Sequence, residues 1–72
     1  MAYYSVVILY ERGQNQRGSL EYESETVYFG EDETMMRVKF FDAVRKASTE
    51  PEAISVKVWR DVEMLVQVKI TH

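Results

Sequence analysis

The sequence predicts an α+β fold in the order ββαββ: an antiparallel four-stranded sheet with one helix packed on one face. Two observations carry this. Residues 2–11, 20–29, 53–60 and 64–71 are extended runs of β-forming residues, most with clear two-residue alternation. Only residues 32–48, between the second and third runs, repeat their apolar side chains at helical spacing.

The first run contains Tyr3, Tyr4 and Val6 to Tyr10. Tyr4, Val6, Ile8 and Tyr10 share one face; Tyr3, Ser5, Val7 and Leu9 share the other. Both faces are apolar, which places this strand in the middle of the sheet and leaves open which face meets the helix. Residues 12–19 are a polar loop, longer than a tight hairpin needs, with Gly13, Asn15 and Gly18 supplying turn chemistry. The second strand sets Leu20, Tyr22, Ser24, Thr26 and Tyr28 against a wet face of Glu21, Glu23 and Glu25, and Gly30 ends it.

The helix opens at Asp32, a suitable N-cap, with Thr34 as the alternative. Glu31 to Glu33 lie where the helix dipole favours negative charge, and Arg45 and Lys46 where it favours positive charge. Met36, Phe40, Ala43, Val44 and Ala47 form the core stripe. Pro51 fixes the exit, because the residue before a proline avoids the α region. In the last hairpin a short loop around Asp61-Val62-Glu63 sets Ile54, Val56 and Val58 opposite Ile70, Val68 and Val66. All six then face one side, a register held because a one-residue slip would expose the whole set. The same register sets Trp59 opposite Leu65.

At 72 residues the chain makes a single domain, 1–72, near the lower limit for folding alone. With no cysteine and a single histidine, His72, neither disulfides nor a histidine–cysteine zinc site can reinforce it; self-association remains. The absence of cysteine fits a reducing, cytoplasmic setting. No apolar run approaches the roughly 20 residues a membrane helix needs, and Val6 to Tyr10 lacks the flanks of a signal peptide. No membrane partner is expected.

A net charge of −3 argues against a nucleic-acid binder. The charge is polarised: residues 1–36 carry 7 acids and 2 bases, residues 37–72 carry 5 acids and 7 bases. No Ser/His/Asp set, nucleophilic cysteine, glycine-rich phosphate loop or interior histidine is present. That inventory predicts a protein that is not an enzyme and needs no cofactor.

Two surfaces are candidate partner-binding sites. One helix cannot cover both sides of a sheet. The uncovered face receives Lys57, Trp59, Leu65, Gln67 and Lys69, joined by Tyr3, Val7 and Leu9 if Val6 and Ile8 turn to the helix. A tryptophan among apolar neighbours and lysines suits an interface; its plainer use is to shield a small core. The second surface is the row Glu21, Glu23 and Glu25, roughly 6.6–6.8 Å apart on one strand face. It could offer carboxylates to a basic groove, or simply keep that face wet.

In length, acidity and element order, though in no residue motif, the chain resembles the small inhibitors that bacteriophages and mobile elements encode, anti-CRISPR proteins among them. That resemblance implies a stoichiometric protein-binding inhibitor in a host cytoplasm, acting by occlusion or by its acidic surface. The alternatives are a single-stranded nucleic-acid binder, which would stack bases on Tyr3 and Trp59 between Lys57, Gln67 and Lys69, and a structural subunit that forms a homodimer through the open face.

Overall fold

The computed structural model describes residues 1–72 and has the predicted architecture. Strands β1 (Tyr4–Gln14) and β2 (Leu20–Gly30) precede helix α1 (Glu33–Ser48), and β3 (Ala53–Arg60) and β4 (Glu63–Lys69) follow. The sheet is wholly antiparallel, in the order β2-β1-β3-β4. The doubly apolar β1 is therefore central. Because β2 and β3 both run against β1, they are parallel to each other, and α1 is the crossover that carries the chain over β1 between them. It lies over β1, β3 and β2 and leaves β4 at the margin.

Tyr4, Val6, Ile8 and Tyr10 are the residues of β1 that meet the helix. Val6, Ile8 and Tyr10 are buried with Ala53, Val56 and Val58 of β3 against Met36, Ala43 and Ala47 of α1. Phe40, Val44, Val27, Tyr28 and Ile70 pack around this cluster. Only 10 of 72 residues are buried, so each large core side chain, worth about 1.5–3 kcal/mol, is a sizeable part of the stability. Asp32 is the N-cap: its Oδ1 accepts from the Met35 N–H at 3.0 Å. The Tyr28 hydroxyl accepts from the Asp32 N–H at 3.1 Å, fastening the turn into the helix to β2.

Three expectations are corrected. The β1–β2 hairpin is longer than read: β1 continues to Gln14, a bulge between Glu11 and Gln14 absorbing Gly13 at φ +97°. The loop shrinks to residues 15–19, where the Asn15 side chain accepts from the N–H groups of Arg17 and Ser19 at 2.8 and 3.1 Å. Second, β2 does not keep one phase. A bulge opposite Val6 and Val7 leaves Val27 extra, so Tyr28 turns to the helix side and Thr26 stays on the other. Third, Val58↔Val66 and Val56↔Val68 pair as expected, but a bulge follows. Trp59 lies opposite Met64, and Leu65 is left without a partner in the register. Ile54 continues the expected register toward Ile70, whose N–H donates to its carbonyl at 2.9 Å, while on the β1 side a bulge between Leu9↔Ser55 and Tyr10↔Ala53 leaves it without a partner.

Candidate functional site: the open face of the sheet

With Val6 and Ile8 under the helix, Ser5, Val7 and Leu9 line the opposite face. Three rows cross it. At the Gly30 end, Phe29, Ser5, Trp59 and Met64 stand side by side on β2, β1, β3 and β4. Thr26, Val7, Lys57 and Gln67 form the next row, and Ser24, Leu9, Ser55 and Lys69 the third.

The first row is aromatic at the surface. Tyr3 stacks on Phe29 with ring centroids 5.3 Å apart and planes 4° from parallel. Burial does not hold this pair, for Phe29 is 68% and Tyr3 45% exposed. Backbone contacts position it instead. The Tyr3 N–H donates to Asp61 Oδ1 at 2.9 Å, and the Asp61 N–H donates to the Tyr3 carbonyl at 2.7 Å. Asp61, at φ +52°, makes the β3–β4 turn that allows this, in a conformation Asp tolerates better than most residues. Trp59, half-buried, stands one strand away.

The charges of these three rows are Lys57, half-buried, and Lys69, exposed; beyond the third row Glu11, paired with Tyr22, adds one carboxylate to the same face. Neither lysine forms an ion pair with the chain's carboxylates. Ser55, in the third row, is buried with its Oγ lacking any hydrogen-bond partner.

The acidic row lies on the other side. Tyr10 pairs with Glu23 and Ile8 with Glu25, so these acids flank the helix. Glu25 is occupied: Lys46 Nζ donates to its two oxygens at 3.0 and 3.1 Å, and the Tyr10 hydroxyl donates at 2.8 Å. The Lys46 bond, then the Tyr10 bond, holds the Glu25 carboxyl below its ordinary pKa. Burial, then the Glu25 bond, pushes the Tyr10 hydroxyl above its own. Glu23 accepts from Arg12 Nε at 3.0 Å, while the same guanidinium reaches Glu52 at 2.8 Å and sits 4.1 Å over the Tyr10 ring. Of the three acids only Glu21 forms no ion pair.

The structure thus brings Tyr3, Lys57, Trp59, Gln67 and Lys69 onto one face, sets Leu65 in a bulge beside them, and puts Glu21, Glu23 and Glu25 on the opposite face. Phe29 and Met64 are members of the site that sequence reading missed. The signal for Phe29 was available: Val27-Tyr28-Phe29 breaks the strict alternation of 20–26, the mark of a phase change. No comparable signal marked Met64, because Leu65 satisfied the alternation equally well. A separate apolar exposure, Val38 and Phe41, lies on the outer side of α1. Compared with known proteins, the chain matches no family model, no curated protein and no solved structure.

Proposed function

We propose that the chain is a non-catalytic binding module that recognises another protein with the open face of its sheet. The observation that carries this is the exposed Tyr3–Phe29 stack beside Trp59, in a row that crosses all four strands with no layer above it. Aromatic rings offer large contact area at low entropic cost, and anchors of this kind dominate binding energy when a partner seals them from water. Lys57 and Lys69 have no internal partner, so the complementary surface is an apolar patch flanked by carboxylates. A flat face of this kind acts by covering, which agrees with an occluding inhibitor.

The test is affinity capture from a host extract with wild type, Phe29→Ala, Trp59→Ala, and Glu21→Gln as control. The expected result is a partner held by wild type and Glu21→Gln and lost from both aromatic variants, all four remaining folded. A partner retained equally by all four ends the proposal.

One observation favours a second reading. The unpaired lysines share the aromatic face while Glu23 and Glu25 lie on the other, so the local charge opposes the net charge. Single-stranded nucleic acid on this face would quench Trp59 fluorescence at low salt, and the affinity would fall steeply as salt rises. An unquenched Trp59 removes this reading.

A further inference from the structure

A sheet in the order β2-β1-β3-β4 has two free edges, and they are built differently. The β2 edge carries Glu21, Glu23 and Glu25 in alternation and is bent by the bulge at Val27. Inserted charge and bulges are the usual protection against strand addition. The β4 edge has neither charge, proline nor glycine between Glu63 and Lys69, and its Met64, Leu65 and Val66 are 44%, 40% and 39% exposed. Its one irregularity, at Leu65, leaves Val66 to Lys69 in regular register.

The hydrogen-bond phase shows what this edge offers. The Ile70 N–H donates to the Ile54 carbonyl at 2.9 Å, so Ile70, Val68 and Val66 direct their backbone groups inward to β3. The alternating residues Gln67 and Lys69 therefore direct theirs outward. The side chains are uncovered too, because α1 does not extend over β4, and Val66 and Val68 continue the apolar helix-side row of Val56 and Val58 past its margin.

We propose that two copies of the chain pair through their β4 edges, antiparallel about a two-fold axis at Gln67, to form one eight-stranded sheet. Gln67 then exchanges hydrogen bonds with the partner's copy of itself. On the helix side Val66 meets the partner's Val68, and its symmetry mate completes an apolar strip between the two helices. Charge selects a second copy and this edge. Glu63, held by its own Arg60 at 3.2 Å, ends β4 on one side and the unpaired Lys69 ends it on the other. About an axis at Gln67 each Glu63 lies opposite the other copy's residue 71, two residues from its Lys69 and within a Debye length of it. Two β2 edges paired the same way would set carboxylate against carboxylate. An interface this narrow falls below the area of standard stable complexes, so the dimer is concentration-dependent. It also leaves both aromatic faces on one side of the enlarged sheet, doubling the valency of the binding surface without using it.

The experiment is sedimentation velocity of the full chain over a concentration series, for wild type, Gln67→Pro and Phe29→Ala. The wild-type mass is expected to rise from 8.5 kDa towards twice that value. Gln67→Pro is expected to stay monomeric with an unchanged circular dichroism spectrum and melting temperature, because the N–H it removes bonds nothing within the chain. Phe29→Ala is expected to dimerise like wild type. Amide exchange on the wild type supplies an independent reading: Gln67 and Lys69 should slow with rising concentration while Glu21 to Glu25 do not. A wild type monomeric throughout overturns the proposal. So does a dimer in which the Gln67 and Lys69 amides exchange freely, or one lost in Phe29→Ala and kept in Gln67→Pro, which would place the contact on the open face.

Discussion

On the helix side of the sheet, Val6, Ile8, Val56 and Val58 are sealed, and Glu23 and Glu25 each hold a base. On the open side, Tyr3 and Phe29 stack on each other in solvent, Lys57 and Lys69 hold no carboxylate, and a buried serine hydroxyl goes unanswered. The same four strands supply both faces, and neighbours one residue apart on a strand belong to opposite regimes. Tyr28 is half-buried against the core with its hydroxyl bonded at the start of the helix, while Phe29 is the most exposed aromatic ring in the chain. Groups satisfied within the chain stabilise the fold. Groups with apolar area or charge to spare gain their partners only when something else arrives, and the open face concentrates these.

Substitutions that separate stability from binding test this contrast. The largest effect is expected at the centre of the helix side. Ile8→Ala leaves a cavity in a very small core and should cost about 2–5 kcal/mol in urea denaturation, enough to unfold much of the protein at 37 °C. A loss below about 1 kcal/mol would show that the helix does not seal this face. The open face should behave in the opposite sense. Ser55→Ala removes a buried hydroxyl that no group satisfies and is expected to raise stability by about 1 kcal/mol. A comparable loss would mean that the Ser55 hydroxyl has a partner after all.

Glu25→Gln sharpens the comparison through pH. The Glu25 pKa is lowered in the folded state by Lys46 and Tyr10, so its contribution is present above the ordinary glutamate pKa and lost as pH falls through the lower folded value. The variant should be less stable than wild type by about 0.5–1 kcal/mol at pH 7, a figure kept small by solvent screening of a half-exposed pair, and the gap should narrow as pH falls below the ordinary glutamate range. A gap that stays constant as the pH is lowered would assign the effect to packing. The smallest effect is expected at Phe29→Ala, within about 0.5 kcal/mol of wild type, because so little of the ring is buried. A loss well beyond that would make the aromatic row a shield for the core and would weaken the functional proposal.

How much of this was legible in the sequence follows from how far periodicity reaches. Element order, the Asp32 cap, the helix stripe and the pairing of Val56 and Val58 with Val68 and Val66 were readable because each is fixed by local chemistry or by burial of a whole row. Which face of β1 meets the helix was not, since Val6, Ile8, Val7 and Leu9 are equally apolar; only the packing of Met36, Ala43 and Ala47 decides it. The bulges at Ile54 and Leu65 were also invisible, and the one at Val27 showed only as a break in the alternation of 20–26. A bulge changes phase by one residue at small energetic cost, and that single residue exchanged Leu65 for Met64 beside Trp59 and brought Phe29 to Tyr3. The ion pairs of Glu23 and Glu25 depend on where Arg12 and Lys46 come to rest, so the acidic row read as a free surface in the sequence and became a mostly neutralised one in the fold.

The central position of β1 bears on how the chain is made. Its first neighbour, β2, follows within a few residues, but its second, β3, ends only at Arg60. At cellular elongation rates the delay between Tyr10 and Arg60 lasts roughly 2.5–10 s. For that time one edge of an apolar strand, Tyr4 to Tyr10, stands unpaired on the nascent chain, a composition that nucleates aggregation when exposed. The only companion it has then is the β2 hairpin arm with its alternating glutamates. Arg12 is already there to hold Glu23, but Lys46 is not yet made, so Glu21 and Glu25 carry free charge that hydrates the unfinished hairpin until the helix arrives.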